Sequence, residues 1–131
     1  MEREPPAVDR ESLDELEHSV GDDRAFLREL VETYLDDAPR QIATIRSGIA
    51  SGDVEATNRA AHTLKSTSAS IGALGLSAMA RELQTMTAVE TTAASDLTEP
   101  DVTALVEVIA TEYENVRSEL ESLVPADSDS S

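Results

Sequence analysis

Arg59-Ala60-Ala61-His62-Thr63-Leu64-Lys65-Ser66-Thr67-Ser68-Ala69-Ser70-Ile71-Gly72 is the stretch on which the reading of this chain turns. It holds one of two histidines and the only lysine among 131 residues. Wound as an α-helix at about 100° per residue, it brings Val54, Thr57, Ala61, Leu64, Ser68 and Ile71 onto one face, spaced as a buried stripe. His62 then points roughly 140–160° away from the middle of that stripe. Around His62, Lys65 lies about 60° to one side and Ser66 about 40° to the other, with Asn58 and Ala69 completing the outer face. A histidine on the outside of a helix, among small residues and beside one cation, is oddly placed for a core residue and well placed for a nucleophile.

His62-Thr63-Leu64-Lys65-Ser66 followed by Ala69-Ser70-Ile71-Gly72 resembles the signature of histidine-containing phosphotransfer (HPt) domains, the relay modules of two-component signalling. Tyr34-Leu35-Asp36-Asp37-Ala38-Pro39 and Ser51-Gly52-Asp53 upstream, and Arg81-Glu82-Leu83-Gln84 downstream, are similar to the flanking segments of that family. The resemblance spans roughly residues 10–123. One position departs: the residue after the lysine is usually glycine, and here it is Ser66, still small enough to leave the imidazole accessible.

The resemblance implies a phosphoryl group accepted on His62 from a receiver-domain aspartate and passed to another receiver. A neutral imidazole has a free lone pair near pH 7. The loose transition state of phosphoryl transfer spreads charge over equatorial oxygens, so positive charge and positioning dominate catalysis. By the resemblance, Lys65 supplies that charge. Receivers would bring the Mg²⁺, so the chain itself needs no metal and no nucleotide, and acts as a carrier rather than an enzyme. Ser66 and Ala69 would let the receiver approach, on an apolar patch including Leu13 and Leu16. Asp37 on the preceding helix, Gln41 one turn further, and Gln84 on the next helix match positions near the histidine in the family. The implied partners are response-regulator receiver domains and a hybrid or sensor histidine kinase, with the chain a monomer.

Composition narrows the alternatives. Ten basic against twenty-seven acidic residues give a net charge of −17, which opposes nucleic acids and anionic lipid surfaces, both of which require basic patches. No cysteine is present, so there is neither a disulfide framework nor a thiolate metal site. The charged start Met1-Glu2-Arg3-Glu4-Pro5-Pro6 has no apolar run typical of a secretion signal, and no segment reaches the ~20 apolar residues of a membrane span. A cytoplasmic protein is expected. With three aromatics, Phe26, Tyr34 and Tyr113, the core must come from Leu, Ile, Val, Ala and Met, which suits packed helices better than a sheet.

In chain order, residues 1–8 read as a loose tail and 9–124 as one domain, followed by an acidic tail over 125–131. Asp9 or Ser12 caps a short helix bearing Leu13, Leu16 and Val20 and ending at Gly21. Asp22 reads as the N-cap of a long helix through Ile49, with Pro39 kinking it. Ser51-Gly52-Asp53 stops that helix and caps the next. Gly72 and Gly75 bracket a turn, and a helix with Leu76, Met79, Ala80, Leu83 and Met86 facing inward follows. Residues 88–98 read as a loop, and Thr98 as the N-cap of a last helix with Pro100 in its first turn. The expectation is all-α: an antiparallel up-down-up-down four-helix bundle with a short additional N-terminal helix.

Each singled-out residue has a plainer explanation. Surface histidines and lysines are ordinarily solvated; only spacing, outward angle and resemblance together lift His62 and Lys65 above that. Glu15-x-x-His18 matches half of a di-iron motif, but position 59, three before His62, is arginine, so the metal reading fails and His18 is a helix-end residue. No phosphate-binding loop or nucleophile elbow is present. Two other functions remain open: a phosphoacceptor module paired directly with a kinase ATP-binding domain, and a helical adaptor that never carries phosphate.

Overall fold

The structure, a computed structural model, describes residues 6–125. It consists of α1 (Arg10–Ser19), α2 (Arg24–Ser51), α3 (Val54–Ser70), α4 (Leu74–Met86), a 3₁₀ turn (Ala94–Thr98) and α5 (Pro100–Leu123). The parts of the expected tails over 1–5 and 126–131 lie outside the described residues.

The four long helices close a ring, α3 lying between α2 and α4, and α5 between α4 and α2. Cross-links set the directions. Tyr34 Oη meets Ser68 Oγ at 2.9 Å near one end of the α2–α3 pair. Near the other, a Cβ on Gly48 would collide with Thr57 Oγ1. Against α5, Arg24 donates to the Leu123 carbonyl at 2.6 Å and Arg46 pairs with Glu107 at 2.7 Å. Low residues of one helix thus meet high residues of the next, the antiparallel up-down-up-down order. Leu27, Ile45, Leu64, Leu76, Leu83, Ile109 and Leu120 are fully enclosed at the centre, and their burial supplies the main driving force.

Helix ends follow local chemistry, with some shifts from the expected residue. Asp9 caps α1 by accepting from Ser12 N at 3.0 Å. The cap of α2 is Asp23, not Asp22: Gly21 and Asp22 both adopt left-handed backbone (φ 76° and 59°), and this turn delays the helix by one residue. Gly52 closes α2 at φ 74°, and Asp53 caps α3 by accepting from Ala56 N at 3.0 Å. Gly75 lies inside α4 rather than at its edge. Thr98 is not a cap; its hydroxyl turns back to Ser95 O at 3.1 Å, and α5 starts after Glu99 with Pro100 in its first turn and no side-chain cap.

Pro39 sits inside α2, which runs through it without a break. Proline cannot donate to the carbonyl four residues back, which leaves Leu35 O without its helical partner. The hydroxyl of Tyr113 on α5 donates to that oxygen at 3.3 Å, so a tertiary bond replaces the missing local one. Tyr113 and Tyr34 pack with ring centroids 6.3 Å apart. Burial pushes Tyr113 up to about 12 and Tyr34 higher still, against a weaker opposing effect of its bond to Ser68. Both hydroxyls are neutral in either state at neutral pH, so stability is level there. Above the ordinary tyrosine value of 10.0 only the unfolded chain ionises, which favours unfolding. Urea titrations between about pH 9 and 11.5 should show stability falling by up to about 1.4 kcal/mol per pH unit for each tyrosine.

Residues 7 and 8, expected to be loose, are part of the fold. Val8 is fully buried and Ala7 nearly so. Their amides donate to the two oxygens of Glu119 on α5, at 2.9 and 2.8 Å respectively, and Asp9 N donates to Gly72 O at 2.8 Å. The segment straps α1 onto the bundle, where Leu13 is its one buried side chain. Glu119→Ala leaves two amides without a partner and should cost about 2 kcal/mol. Amide hydrogen exchange at Val8 and Asp9 should accelerate with it, before any change in the central helices.

Candidate functional site

The outer face of α3 carries the site. Ala61, Leu64 and Ser68 are sealed into the core, while His62, Ser66 and Ala69 are exposed and Lys65 and Asn58 half-buried. Ala60 joins the buried set, and Val54, placed there by periodicity, is only half-buried. The helix is therefore clamped behind the histidine and open in front of it.

α4 holds α3 on both sides of His62. Ser77 Oγ donates to the Lys65 carbonyl at 2.8 Å. Asn58 Nδ2 donates to the Gln84 carbonyl at 2.8 Å. Between them the Gln84 carboxamide nitrogen lies 3.2 Å from His62 Nδ1. In that orientation the amide donates and the ring proton sits on Nε2. Turned over, the carboxamide accepts from Nδ1–H, leaving the Nε2 lone pair directed to solvent.

Lys65 is the only lysine, and no carboxylate among the described residues lies within ion-pair distance of it, whereas Arg24, Arg40, Arg46, Arg59 and Arg117 all have acidic partners. Among the described residues its ammonium has no acidic partner, in a strongly acidic chain.

The α2 residues stand differently. Asp37 accepts from Gln41 Nε2 at 3.2 Å, and no hydrogen bond joins either to His62 among the described residues. Interpolating between the Tyr34–Ser68 and Gly48–Thr57 approaches puts Gln41 level with His62 and Asp37 level with Ser66. The structure therefore brings His62 together with Gln84, and leaves Asp37 and Gln41 as a pair on the neighbouring helix.

Beside Ser66 and Ala69 a groove of about 430 Å³ opens between α1, α2 and α3, lined by Leu16, Leu30, Tyr34, Asp37, Thr67 and Ile71. Leu16 is half-buried, packed against the core while lining this groove. Leu13, expected on the same patch, does not line it: it is buried at 4% exposure and belongs to the core. His18, at the other end of α1, is exposed and lies 3.6 Å from Asp22. No group of three His, Asp or Glu side chains suited to holding a metal ion occurs among the described residues. No helix of the described residues is long and apolar enough to cross a membrane. Asn58 and Ser77 also hold the site together, and neither has a role that the sequence alone assigns. Asn58 stood on the correct face in the helical projection, but its partner on α4 is visible only in three dimensions.

The outer face of the bundle thus presents an imidazole hydrogen-bonded to Gln84 and, one turn along α3, an ammonium with no acidic partner among the described residues. The chain belongs to the Hpt domain family, whose model matches residues 29–123. Its role is accordingly histidine phosphotransfer in a phosphorelay. The fold is similar to that of histidine-containing phosphotransfer protein B from Pseudomonas aeruginosa PAO1, at TM-score 0.76 and 23% identity, over 91% of this chain and 95% of that one. It is also similar to the HPT domain of a sensor hybrid histidine kinase from Shewanella, at TM-score 0.62 and 19% identity, over 87% of this chain and 97% of that one. No curated protein matches the chain.

Proposed function

We propose that His62 Nε2 is the phosphoryl acceptor of this Hpt domain, taking the group from the aspartyl phosphate of a receiver domain and returning it to another. The observation that carries this is an exposed imidazole, hydrogen-bonded at Nδ1 to Gln84, on the same helix as Lys65 one turn along, which has no acidic partner among the described residues. In the forward step the bond from the aspartate oxygen to phosphorus breaks, its electron pair returns to the carboxylate, and Nε2 forms the new bond to phosphorus. This step uses the turned-over carboxamide, in which Nδ1 keeps its proton and donates it to Gln84 Oε1, so the positive ring offsets part of the phosphoryl charge. Lys65 faces the equatorial oxygens, where charge resides in the transition state.

Ser66 and Ala69 leave the approach open, and the groove bordered by Leu16 and Ile71 is the surface the receiver covers. Asp37, which lines the groove, and Gln41, hydrogen-bonded to it, serve as docking contacts without a direct part in the chemistry. Mg²⁺ belongs to the receiver, and the chain acts as a carrier with no ATP site of its own, loaded through a hybrid or sensor kinase. Incubation with a ³²P-labelled receiver should transfer label in acid-labile, base-stable form. Tryptic cleavage should place it in the peptide Ala60–Lys65, the segment between Arg59 and Lys65 that contains His62. Label elsewhere in the chain, or none, would sink the assignment.

A further inference from the structure

Asn58 stands one helical turn before His62 on the same face of α3, and its carboxamide is committed to α4. Nδ2 donates to Gln84 O at 2.8 Å and lies 3.3 Å from Thr87 Oγ1. Gln84 belongs to the last turn of α4, where carbonyls have run out of helical donors. Thr87 closes that end through its backbone amide, at 3.0 Å from Leu83 O and 3.3 Å from Gln84 O. Gln84 thus grips α3 twice, by its carbonyl at Asn58 and by its carboxamide at His62.

The two grips differ in kind. A glutamine side chain has three rotatable bonds and, at a half-exposed site, no reason to settle on one ring nitrogen unless its own backbone is held at the correct distance. Helix ends open more readily than helix middles, and Gln84 is two residues from the end of α4. The hydrogen bond from Asn58 removes that freedom at the residue that needs to be still. We infer that Asn58 is a positioning residue for phosphoryl transfer: by fixing the last turn of α4 against α3, it sets the Gln84 carboxamide on Nδ1, where, turned so that Oε1 accepts from Nδ1–H, it keeps the Nε2 lone pair of His62 available. This rests on His62 being the phosphoacceptor.

The rival explanation is that Asn58 only fills space and adds stability at the α3–α4 seam. Asn58→Asp separates the two, because it keeps size and shape but faces the Gln84 carbonyl with a carboxylate that cannot donate. Two measurements on the whole chain, with no partner protein, decide the matter: the tautomer of His62 from long-range ¹H–¹⁵N spectra, and the rate at which phosphoramidate labels His62. The wild type should hold its proton mainly on Nδ1. Asn58→Ala, Asn58→Asp and Gln84→Ala should each move the ring toward a mixture of tautomers, and labelling should slow by about tenfold, the lower end of what losing the hydrogen-bond partner of a metal-ligating histidine costs. Asn58→Ala combined with Gln84→Ala should be no slower than Gln84→Ala alone, as coupling through one residue requires. Thermal unfolding of each variant fixes a common temperature well below its transition. A wild-type tautomer and rate in Asn58→Asp would overturn the proposal, and so would simple multiplication of the two single effects. Failure of the wild type to take label at all would instead overturn the phosphoacceptor reading, while the ¹⁵N spectra would still show whether Asn58 orients the ring.

Discussion

His62→Gln should receive no phosphoryl group from a phosphorylated receiver, with label falling to background, while the bundle stays as stable as before. The two halves of this expectation have separate physical grounds. Loss of transfer is complete because the imidazole lone pair is the nucleophile, and a carboxamide nitrogen, whose lone pair is delocalised into its carbonyl, cannot replace it. Stability survives because the ring is exposed and its one hydrogen bond, at 3.2 Å to Gln84, is itself partly solvated. Surface changes of this kind move unfolding free energies by about 0.5 kcal/mol or less. His18→Gln is the matched control. That histidine is also exposed, at the end of α1 beside Asp22, and its replacement should leave transfer untouched. Equal loss in both variants would mean that neither ring is the acceptor, and full retention in His62→Gln would remove the basis of the proposed mechanism.

The parts of the fold that could be read from the sequence are those set by local rules. The apolar stripe of α3, the stop at Gly52 and the cap at Asp53 each depend on residues within one or two turns, and apart from the half-buried Val54 each stands where periodicity and capping chemistry place it. Where local rules offered two equivalent choices, the sequence could not select. Asp22 and Asp23 are equally good caps, and only the consecutive left-handed residues Gly21 and Asp22 decide for the second. Contacts between distant residues left no trace at all. Ala7 and Val8 look like a tail because nothing near them explains their burial; the carboxylate that receives their amides is Glu119, 112 and 111 residues away. Leu13 could face the surface or the core by helical geometry alone, and its burial depends on how α1 is seated on the rest of the bundle. At the site the same division holds. Exposure of His62 follows from the period of α3, whereas its hydrogen bond to Gln84, and the pairing of Asp37 with Gln41 instead of with the histidine, depend on how helices pack.

Lys65→Ala should slow transfer from a phosphorylated receiver by about thirtyfold at saturating receiver, the effect of about 2 kcal/mol in the barrier. The estimate comes from charge. A unit positive charge about 4 Å from a unit negative one is worth about 1 kcal/mol in water and about 4 kcal/mol at the effective dielectric of a protein surface, and the ammonium of Lys65 under a docked receiver lies between the two. No ion pair ties Lys65 down among the described residues, so the charge can swing to the phosphoryl oxygens without breaking an existing bond. Its removal leaves the fold alone for the same reason: the one polar bond at this position joins Ser77 to the backbone carbonyl of Lys65, and alanine keeps that carbonyl. Lys65→Arg should recover part of the rate, since arginine restores the charge but presents it as a broad planar fork rather than a compact ammonium. The measurement is single-turnover transfer at several receiver concentrations, which separates docking from chemistry. A change confined to the concentration dependence would make Lys65 a docking residue. An unchanged rate at every concentration would show that the ammonium never meets the phosphoryl group.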